Sequence, residues 1–326
     1  MLWVQARLDD VDPKIFDQSQ YNPKSSRTAK DAQKVQHVSY GDGDAVEADL
    51  YSDNVSIETL IANDQQIGAV RSMKLSETAK QGKSNGLIGL GFTSEDVGLV
   101  QTLQRQGAIR YASITLVGPR NNPEKAKEID AKDIMEPRGY LIIGSVDQKY
   151  YTGEIAWCPL ISNIDSAVPN RWIIKLDAII LNGIKIFENQ YALIDTGTSY
   201  ILTSSVSFTK FRKAVGKGAR PTVDYMFGYL KDSIKTVTFV LGGRPIDLHP
   251  NDISLGDLKP DREGVVRTLS SICTLPQDKW GFPNNLWILG GIFIDNIVTI
   301  FDYANKKIGI ADISERDLSQ DVDKTG

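Results

Sequence analysis

Short runs of apolar and β-branched residues, separated by Gly, Asn, Asp and Pro, follow one another along most of the chain. Such runs predict β-strands, because alternate side chains of a half-buried strand face the core and glycine or proline ends the strand. We expect strands at residues 38–40, 48–50, 113–117, 140–143, 172–180, 192–194, 237–241 and 298–301. The pattern therefore predicts an all-β protein.

Helical periodicity is rare in this sequence. Ser94 is predicted to cap a helix that ends at Gly107, and Ser207 is predicted to begin a second one. Each helix has an apolar face, formed by Val97, Val100 and Leu103 in the first and by Phe208, Phe211 and Val215 in the second. We expect small helices packed on sheets.

Three segments interrupt the strand pattern. Residues 119–138 are charged and flanked by proline, which predicts a solvated loop insertion. Polar residues and Pro169 within 162–170 predict a connection between domains, and the charged residues 314–326 predict a frayed tail. Since 326 residues suffice for about two domains, we expect one lobe at 1–160 and a second at 161–313, followed by the tail.

Composition narrows the classes of function. Lys and Arg number 37 against 41 Asp and Glu, and the resulting net charge of −4 is spread without blocks, so a nucleic-acid partner is not expected. The longest apolar runs are far shorter than the roughly 18 residues that cross a bilayer, so membrane insertion is not expected either. Six charged residues within the first twenty also exclude the apolar core of a secretory signal there.

Chemistry-bearing residues concentrate at one place, Asp195-Thr196-Gly197-Thr198. An apolar run delivers this aspartate to a tight turn, where the glycine permits close backbone approach and neighbouring hydroxyl groups can donate to the carboxylate. Taken alone, the triplet is equally consistent with an aspartate that merely caps a turn. Its surroundings decide between the two interpretations.

Those surroundings resemble the pepsin family of two-lobed aspartic peptidases, in the family's own order and over nearly the whole chain. The resemblance is carried by LWV (2–4), YNPKSSRT (21–28), SYGDG (39–43), NGLIGLG (85–91), GYLIIG (139–144) with YTG (151–153), IDTGTS (194–199), and WILGGIF (287–293) with TIFDY (299–303). It implies a mainly β fold with a cleft between the lobes and an aspartic endopeptidase acting on peptides or proteins. It also implies a monomer without a cofactor, secreted or vacuolar.

The resemblance assigns roles to individual residues. Asp195 is the catalytic aspartate of the second lobe, within the loop that continues through Thr196, Gly197 and Thr198. Tyr40, Gly41 and Asp42 form the flap that closes over substrate, and Asp42 is the variant typical of fungal members. Trp3 braces the flap tyrosine from behind.

The family's mechanism needs two carboxylates that share one proton around a single water molecule, for which pepsin is the standard example. The first of the two loops lies just before the segment that LWV (2–4) matches, and this sequence contains no second Asp-Thr-Gly or Asp-Ser-Gly. We therefore expect an N-terminally truncated first lobe without its first strands, and a chain with impaired activity. A peptide-binding pseudopeptidase and an inactive fragment are the alternatives.

The remaining candidates are less specific. Cys158 and Cys273 are expected to be small buried thiols, although Cys273 matches a family position that usually forms a disulfide. His37 and His249 have no Cys or acidic residue at ligand spacing, so no metal is expected. The triplet Asn54-Val55-Ser56 is an acceptor sequence for an N-linked glycan in a chain that enters the secretory pathway.

Overall fold

A computed structural model describes residues 2–5, 20–40, 43–74, 86–91, 98–119, 139–161, 171–222, 225–275 and 283–314. The chain divides into two compact units, Met1–Ala112 and Ser113–Gly326. Both are built from β-strands with a few short helices, as the sequence pattern predicts. The expected lobe boundary at 160/161 falls within the second unit and stays a prediction. Outside the described residues lie 120–138 of the expected loop at 119–138, the whole expected connection at 162–170, and 315–326 of the expected tail at 314–326.

The described residues of the first unit form one five-stranded sheet in the order β2-β3-β4-β1-β5. Its elements are β1 (Leu2–Gln5), β2 (Lys30–Ser39), β3 (Ala45–Ile57), β4 (Leu60–Lys74), β5 (Gly86–Ile88), a 3-10 turn (Pro23–Ser25) and helix α1 (Leu99–Arg105). Val46, Ala48 and Leu50 alternate with less buried residues along β3, and this period of two turns one face of the strand toward the core.

Within the part of the second unit that the structure describes there are three sheets, in the orders β15-β14-β9-β10-β19-β11-β18, β7-β6-β20-β21-β8 and β12-β13-β17-β16. Its strands are β6 (Ser113–Val117), β7 (Tyr140–Ile143), β8 (Tyr151–Pro159), β9 (Ile173–Leu181), β10 (Ile184–Ile194), β11 (Ile201–Thr203), β12 (Arg220–Pro221), β13 (Phe227–Tyr229), β14 (Val237–Leu241), β15 (Arg244–Leu248), β16 (Ser254–Asp257), β17 (Thr268–Ser270), β18 (Ile272–Thr274), β19 (Leu286–Leu289), β20 (Val298–Asp302) and β21 (Lys307–Ile313). Its helices are α2 (Ser205–Val215), α3 (Pro250–Ile253) and α4 (Gly291–Ile294), with 3-10 turns at Gln148–Tyr150 and Lys231–Ser233.

An aromatic cluster centred on Trp287 fills the core beside the seven-stranded sheet. Its indole is fully buried and makes T-shaped edge contacts with Phe187, Phe211 and Phe239, with ring centroids 5.3, 6.2 and 6.2 Å away. Such pairs add about 0.5–1.5 kcal/mol each beyond the burial of their apolar area. Strand β19, which carries Trp287, is therefore firmly held.

The two units repeat one arrangement of three strands. In the second, β11 lies antiparallel to β19 and parallel to β18; in the first, β1 lies antiparallel to β5 and parallel to β4. The registers correspond, since Ile201 faces Leu289 as Leu2 faces Ile88. In the second unit, β19 also pairs in parallel with β10.

The predicted starts of both helices are wrong. Helix α1 begins at Leu99 with Gly98 at its N-cap, and Ser94 lies outside the described residues. Helix α2 begins at Ser205 and not at Ser207, because the Ser204 hydroxyl caps the helix by accepting a hydrogen bond from the Ser207 N–H.

Candidate active site

Strand β10 delivers Asp195 to the end of the seven-stranded sheet. Residues 191–194 of this strand pair in parallel with 286–289 of β19, and the ladder closes where the Asp195 N–H donates to the Leu289 carbonyl at 3.2 Å. The chain then turns and returns as β11 on the other side of β19. The turn that carries Asp195 therefore crosses the end of β19.

The loop's own groups orient the Asp195 carboxylate. The Gly197 N–H donates to Oδ1 at 3.0 Å, and the Thr198 hydroxyl donates to Oδ2 at 2.8 Å. Asp195 is half-buried, whereas Thr196 and Gly197 are exposed. Each carboxylate oxygen can accept a further hydrogen bond, so the arrangement fixes the group while leaving it able to contact a water molecule.

Gly290 and Gly291 support this loop from beneath. The N–H groups of Gly290 and Gly291 donate to the carbonyls of Tyr200 (3.2 Å) and Thr198 (2.7 Å). A Cβ at Gly290 would lie 2.2 Å from the Thr198 oxygen and 2.4 Å from the Tyr200 oxygen, so only glycine fits there. A Cβ at Gly291 would meet nothing closer than 3.6 Å. Position 291 can thus accept a side chain, whereas position 290 cannot.

Tyr40 directly follows β2, in the hairpin that joins β2 to β3. Its N–H donates to the Asp44 carbonyl at 2.8 Å, and its carbonyl accepts from the Gly43 N–H at 3.1 Å. Gly43 has φ +94°, which favours glycine at the bend. The half-buried tyrosine packs against a cluster that includes Val46 and Ala48.

Three other predicted site residues are not described in full. Gly41 and Asp42 are outside the described residues, and of Trp3 only the backbone is described, paired with Gly68 and Leu87. The loop residues 195–198 come together in the second unit, and Tyr40 belongs to the first. The flap and bracing roles stay predictions.

Asp53 forms a network in the first unit that sequence reasoning missed. This aspartate is 3% exposed, and it accepts hydrogen bonds from the Tyr21, Ser26 and Thr28 hydroxyls and from the Asn54 N–H. Burial acts to raise the Asp53 pKa, but the donors Thr28, Tyr21 and Ser26 together outweigh burial and hold it below the ordinary value. The network ties the segment before β2 to strand β3.

Both cysteines are buried and carry free thiols. Burial, with a smaller contribution from Asp177, raises the pKa of Cys158 to about 11, and burial raises the pKa of Cys273 to about 12. The thiols therefore stay protonated at neutral and acid pH and are poor nucleophiles. Within the described ranges, no group of three or more His, Cys, Asp and Glu side chains could hold a metal ion, and no helix is long and apolar enough to span a membrane.

Comparison with known proteins identifies the class. Residues 1–313 match the family described as eukaryotic aspartyl protease. Embryonic pepsinogen of Gallus gallus is 27% identical over 317 residues, covering 95% of this chain and 73% of the relative, and chymosin of Camelus dromedarius is 25% identical over 303 residues, covering 89% and 69%. The aspartic proteinase from Irpex lacteus shares the fold, with a TM-score of 0.69, 19% identity and coverage of 96% and 87%.

The chain belongs to the eukaryotic aspartyl protease family. Members of this family are aspartic endopeptidases, which hydrolyse peptide bonds. The mainly β, two-lobed pepsin-like fold predicted from the sequence is confirmed. So is the assignment to pepsin-like peptidases.

Proposed function

We propose that Asp195 supplies one of the two carboxylates with which this endopeptidase activates water. The observation that carries the proposal is the orientation of the carboxylate by Gly197 and Thr198, on a loop held from beneath by Gly290 and Gly291. Such pre-set geometry keeps the group in place for proton transfer without reorganisation during the reaction. Thr196 contributes the turn between the carboxylate and its donors.

Hydrolysis of a peptide bond on this site requires a partner for Asp195. One ionised carboxylate accepts a proton from the attacking water while a protonated one donates toward the substrate carbonyl. The 326-residue sequence contains a single Asp-Thr-Gly and no Asp-Ser-Gly. We therefore expect this chain, taken by itself, to cleave slowly, because loss of one member of a catalytic group commonly removes several orders of magnitude of rate.

Tyr40 is proposed to cover bound peptide and exclude water, together with Gly41 and Asp42, which follow it in the sequence. The turn geometry at Tyr40 and the positive φ at Gly43 support a hairpin that can bend at this point. Trp3 is proposed to brace the tyrosine. We propose further that the chain acts as a monomer on protein or peptide substrates and does not bind nucleic acid, consistent with its net charge of −4.

The test is cleavage of a denatured protein by the purified 326-residue chain across acid pH, with fragments identified by mass spectrometry. Internal cleavage should be slow but measurable, should disappear in Asp195→Asn, and should persist in the matched control Asp232→Asn. Asp232 is exposed and lies on a 3-10 turn outside the loop. Cleavage that Asp195→Asn leaves unchanged would remove Asp195 from the mechanism.

A peptide-binding role without cleavage is the second candidate, favoured by the single Asp-Thr-Gly. Under this alternative, a statine-type transition-state mimic and a plain substrate peptide should bind with similar affinity, because transition-state complementarity is lost. A mimic that binds at least tenfold more tightly than the peptide would support the endopeptidase.

A further inference from the structure

One surface feature on strand β3 has no part in the proposed catalysis. The triplet Asn54-Val55-Ser56 is the sole Asn-X-Ser/Thr sequence with X other than proline in the 326 residues. Asn54 and Ser56 are both exposed, and Val55 between them is half-buried. Because side chains alternate along a strand, the asparagine and the hydroxyl share the solvent face.

A β-bulge lies opposite Asn54. In the ladder between β3 and β4, Asp53 pairs with Gln65 and Val55 pairs with Ala62, so two residues of β4 stand against the single Asn54. One of them, Asp64, has φ +49°, as expected where the extra residue bends the strand. The bulge turns the backbone away from regular pairing at this exposed position.

The side-chain amide of Asn54 is hydrogen-bonded through its oxygen, Oδ1. Its Oδ1 accepts a hydrogen bond from the Asp64 N–H at 3.3 Å, and its backbone N–H donates to the buried Asp53 carboxylate at 2.7 Å. The side-chain nitrogen is the atom that a glycan would modify, and the Oδ1 contact can persist after modification. The backbone beneath is fixed by the Asp53 network.

The neighbouring surface suits a carbohydrate. Lys30 and Asp64 form an exposed ion pair at 2.6 Å, and the Gln106 side chain exchanges hydrogen bonds with the Asn63 backbone. Ile61, which pairs with Ser56 in the ladder, is 48% exposed. A sugar at Asn54 would meet polar partners on one side and cover this exposed apolar side chain on the other.

We propose that Asn54 is an N-glycan attachment site in a chain that passes through the secretory pathway. The donor is a lipid-diphosphate-linked oligosaccharide. The Asn54 side-chain nitrogen forms a bond to the anomeric carbon of the first sugar, the bond from that carbon to the diphosphate oxygen breaks, and the nitrogen's proton is released as the lipid diphosphate leaves. No oxidation or reduction takes place.

The test is translation of the full chain behind a cleavable signal sequence, with and without microsomes. Because glycosylation is detected in the microsomal fraction, the result does not depend on later folding or export of the chain. Wild type is compared with Asn54→Gln, which removes the acceptor, with Ser56→Ala and Ser56→Thr, which remove and keep the hydroxyl, and with Asn63→Gln. Asn63 is an exposed asparagine on β4 outside any acceptor triplet, so it is the matched control.

A microsome-dependent shift in gel mobility, reversed by peptide:N-glycanase, should occur in wild type, Ser56→Thr and Asn63→Gln, and should be lost in Asn54→Gln and Ser56→Ala. Release in ¹⁸O-labelled water should convert residue 54 to a labelled aspartate in the mass spectrum. An unshifted wild type in the microsomal fraction, or a shift that persists in Asn54→Gln or Ser56→Ala, would overturn the proposal.

Discussion

Replacing Gly290 by alanine should displace the loop that carries Asp195. The new Cβ would lie 2.2 Å from the Thr198 carbonyl oxygen, and since real Cβ contacts are essentially never shorter than 3.0 Å, the backbone must move by about 0.8 Å. That movement weakens the bonds from Gly290 and Gly291 to the loop carbonyls, worth about 0.5–1.5 kcal/mol each, and overpacking adds about 1–3 kcal/mol. We expect Gly290→Ala to lower the free energy of unfolding by about 2–6 kcal/mol.

Gly291→Ala is the matched control for this prediction. Its Cβ would have its nearest neighbour at 3.6 Å, an ordinary contact, and alanine is the better helix former by about 1 kcal/mol at most. Urea unfolding followed by tryptophan fluorescence reports the effect, because Trp287 lies buried on β19 beside the loop. Equal midpoints for wild type and Gly290→Ala, or equal losses in the two variants, would refute the reasoning.

Three further predictions concern individual groups. Asp53→Asn should lower the free energy of unfolding by about 1.5–3 kcal/mol at pH 7. Because the Asp53 pKa is lower in the folded protein, the stability that the carboxylate adds is complete above the ordinary pKa of an aspartate and is lost as pH falls through the lowered pKa. The urea midpoints of variant and wild type should therefore converge only in strong acid. Thr198→Val should reduce the hydrolysis rate by about 10- to 100-fold by removing the donor to Asp195, whereas Thr198→Ser should keep most of it, and equal rates would contradict this. The last prediction is an extended chain, in which a segment of the type apolar-apolar-Asp-Thr-Gly-Ser is joined ahead of Leu2 and designed to pair with β5 as β10 pairs with β19. Acid proteolysis, melting temperature and affinity for a statine-type mimic should all rise in this extended chain. An extended chain that melts higher yet stays inactive from about pH 2 to 7 would favour the pseudopeptidase.

The strands that the sequence predicted best have simple apolar runs. Those expected at 113–117, 140–143 and 237–241 coincide with β6, β7 and β14. Strand β4 was not predicted, because Asn63, Asp64 and Gln65 interrupt its alternation and the bulge shifts its register. Hydrophobic periodicity depends only on residues that are neighbours in the sequence. It therefore fails to predict a strand whose pattern is broken by a polar bulge, even where pairing with a partner strand tolerates that bulge.

The residues of the candidate site also divide into those that the local sequence predicts and those that depend on contacts between distant segments. Asp195 could be predicted because its triplet is local, and its donors at 197 and 198 lie within the same turn. The obligatory glycine at 290 could not be derived from spacing, because its constraint comes from carbonyls about ninety residues earlier in the chain. The Asp53 network was missed for a similar reason, although an aspartate following the alternating buried positions of β3 was a usable signal.

The crossing of the Asp195 turn over the end of β19 also sets an order of events during synthesis. At roughly 5–20 residues per second, the ribosome reaches Gly290 about 5 to 20 s after Asp195. Strands β6 and β8 wait still longer, since their partners β20 and β21 are among the last described elements to be made. Pairings of such high contact order form slowly, so a nascent chain arrested before β19 would expose unpaired strand edges and should be a ready substrate for chaperones.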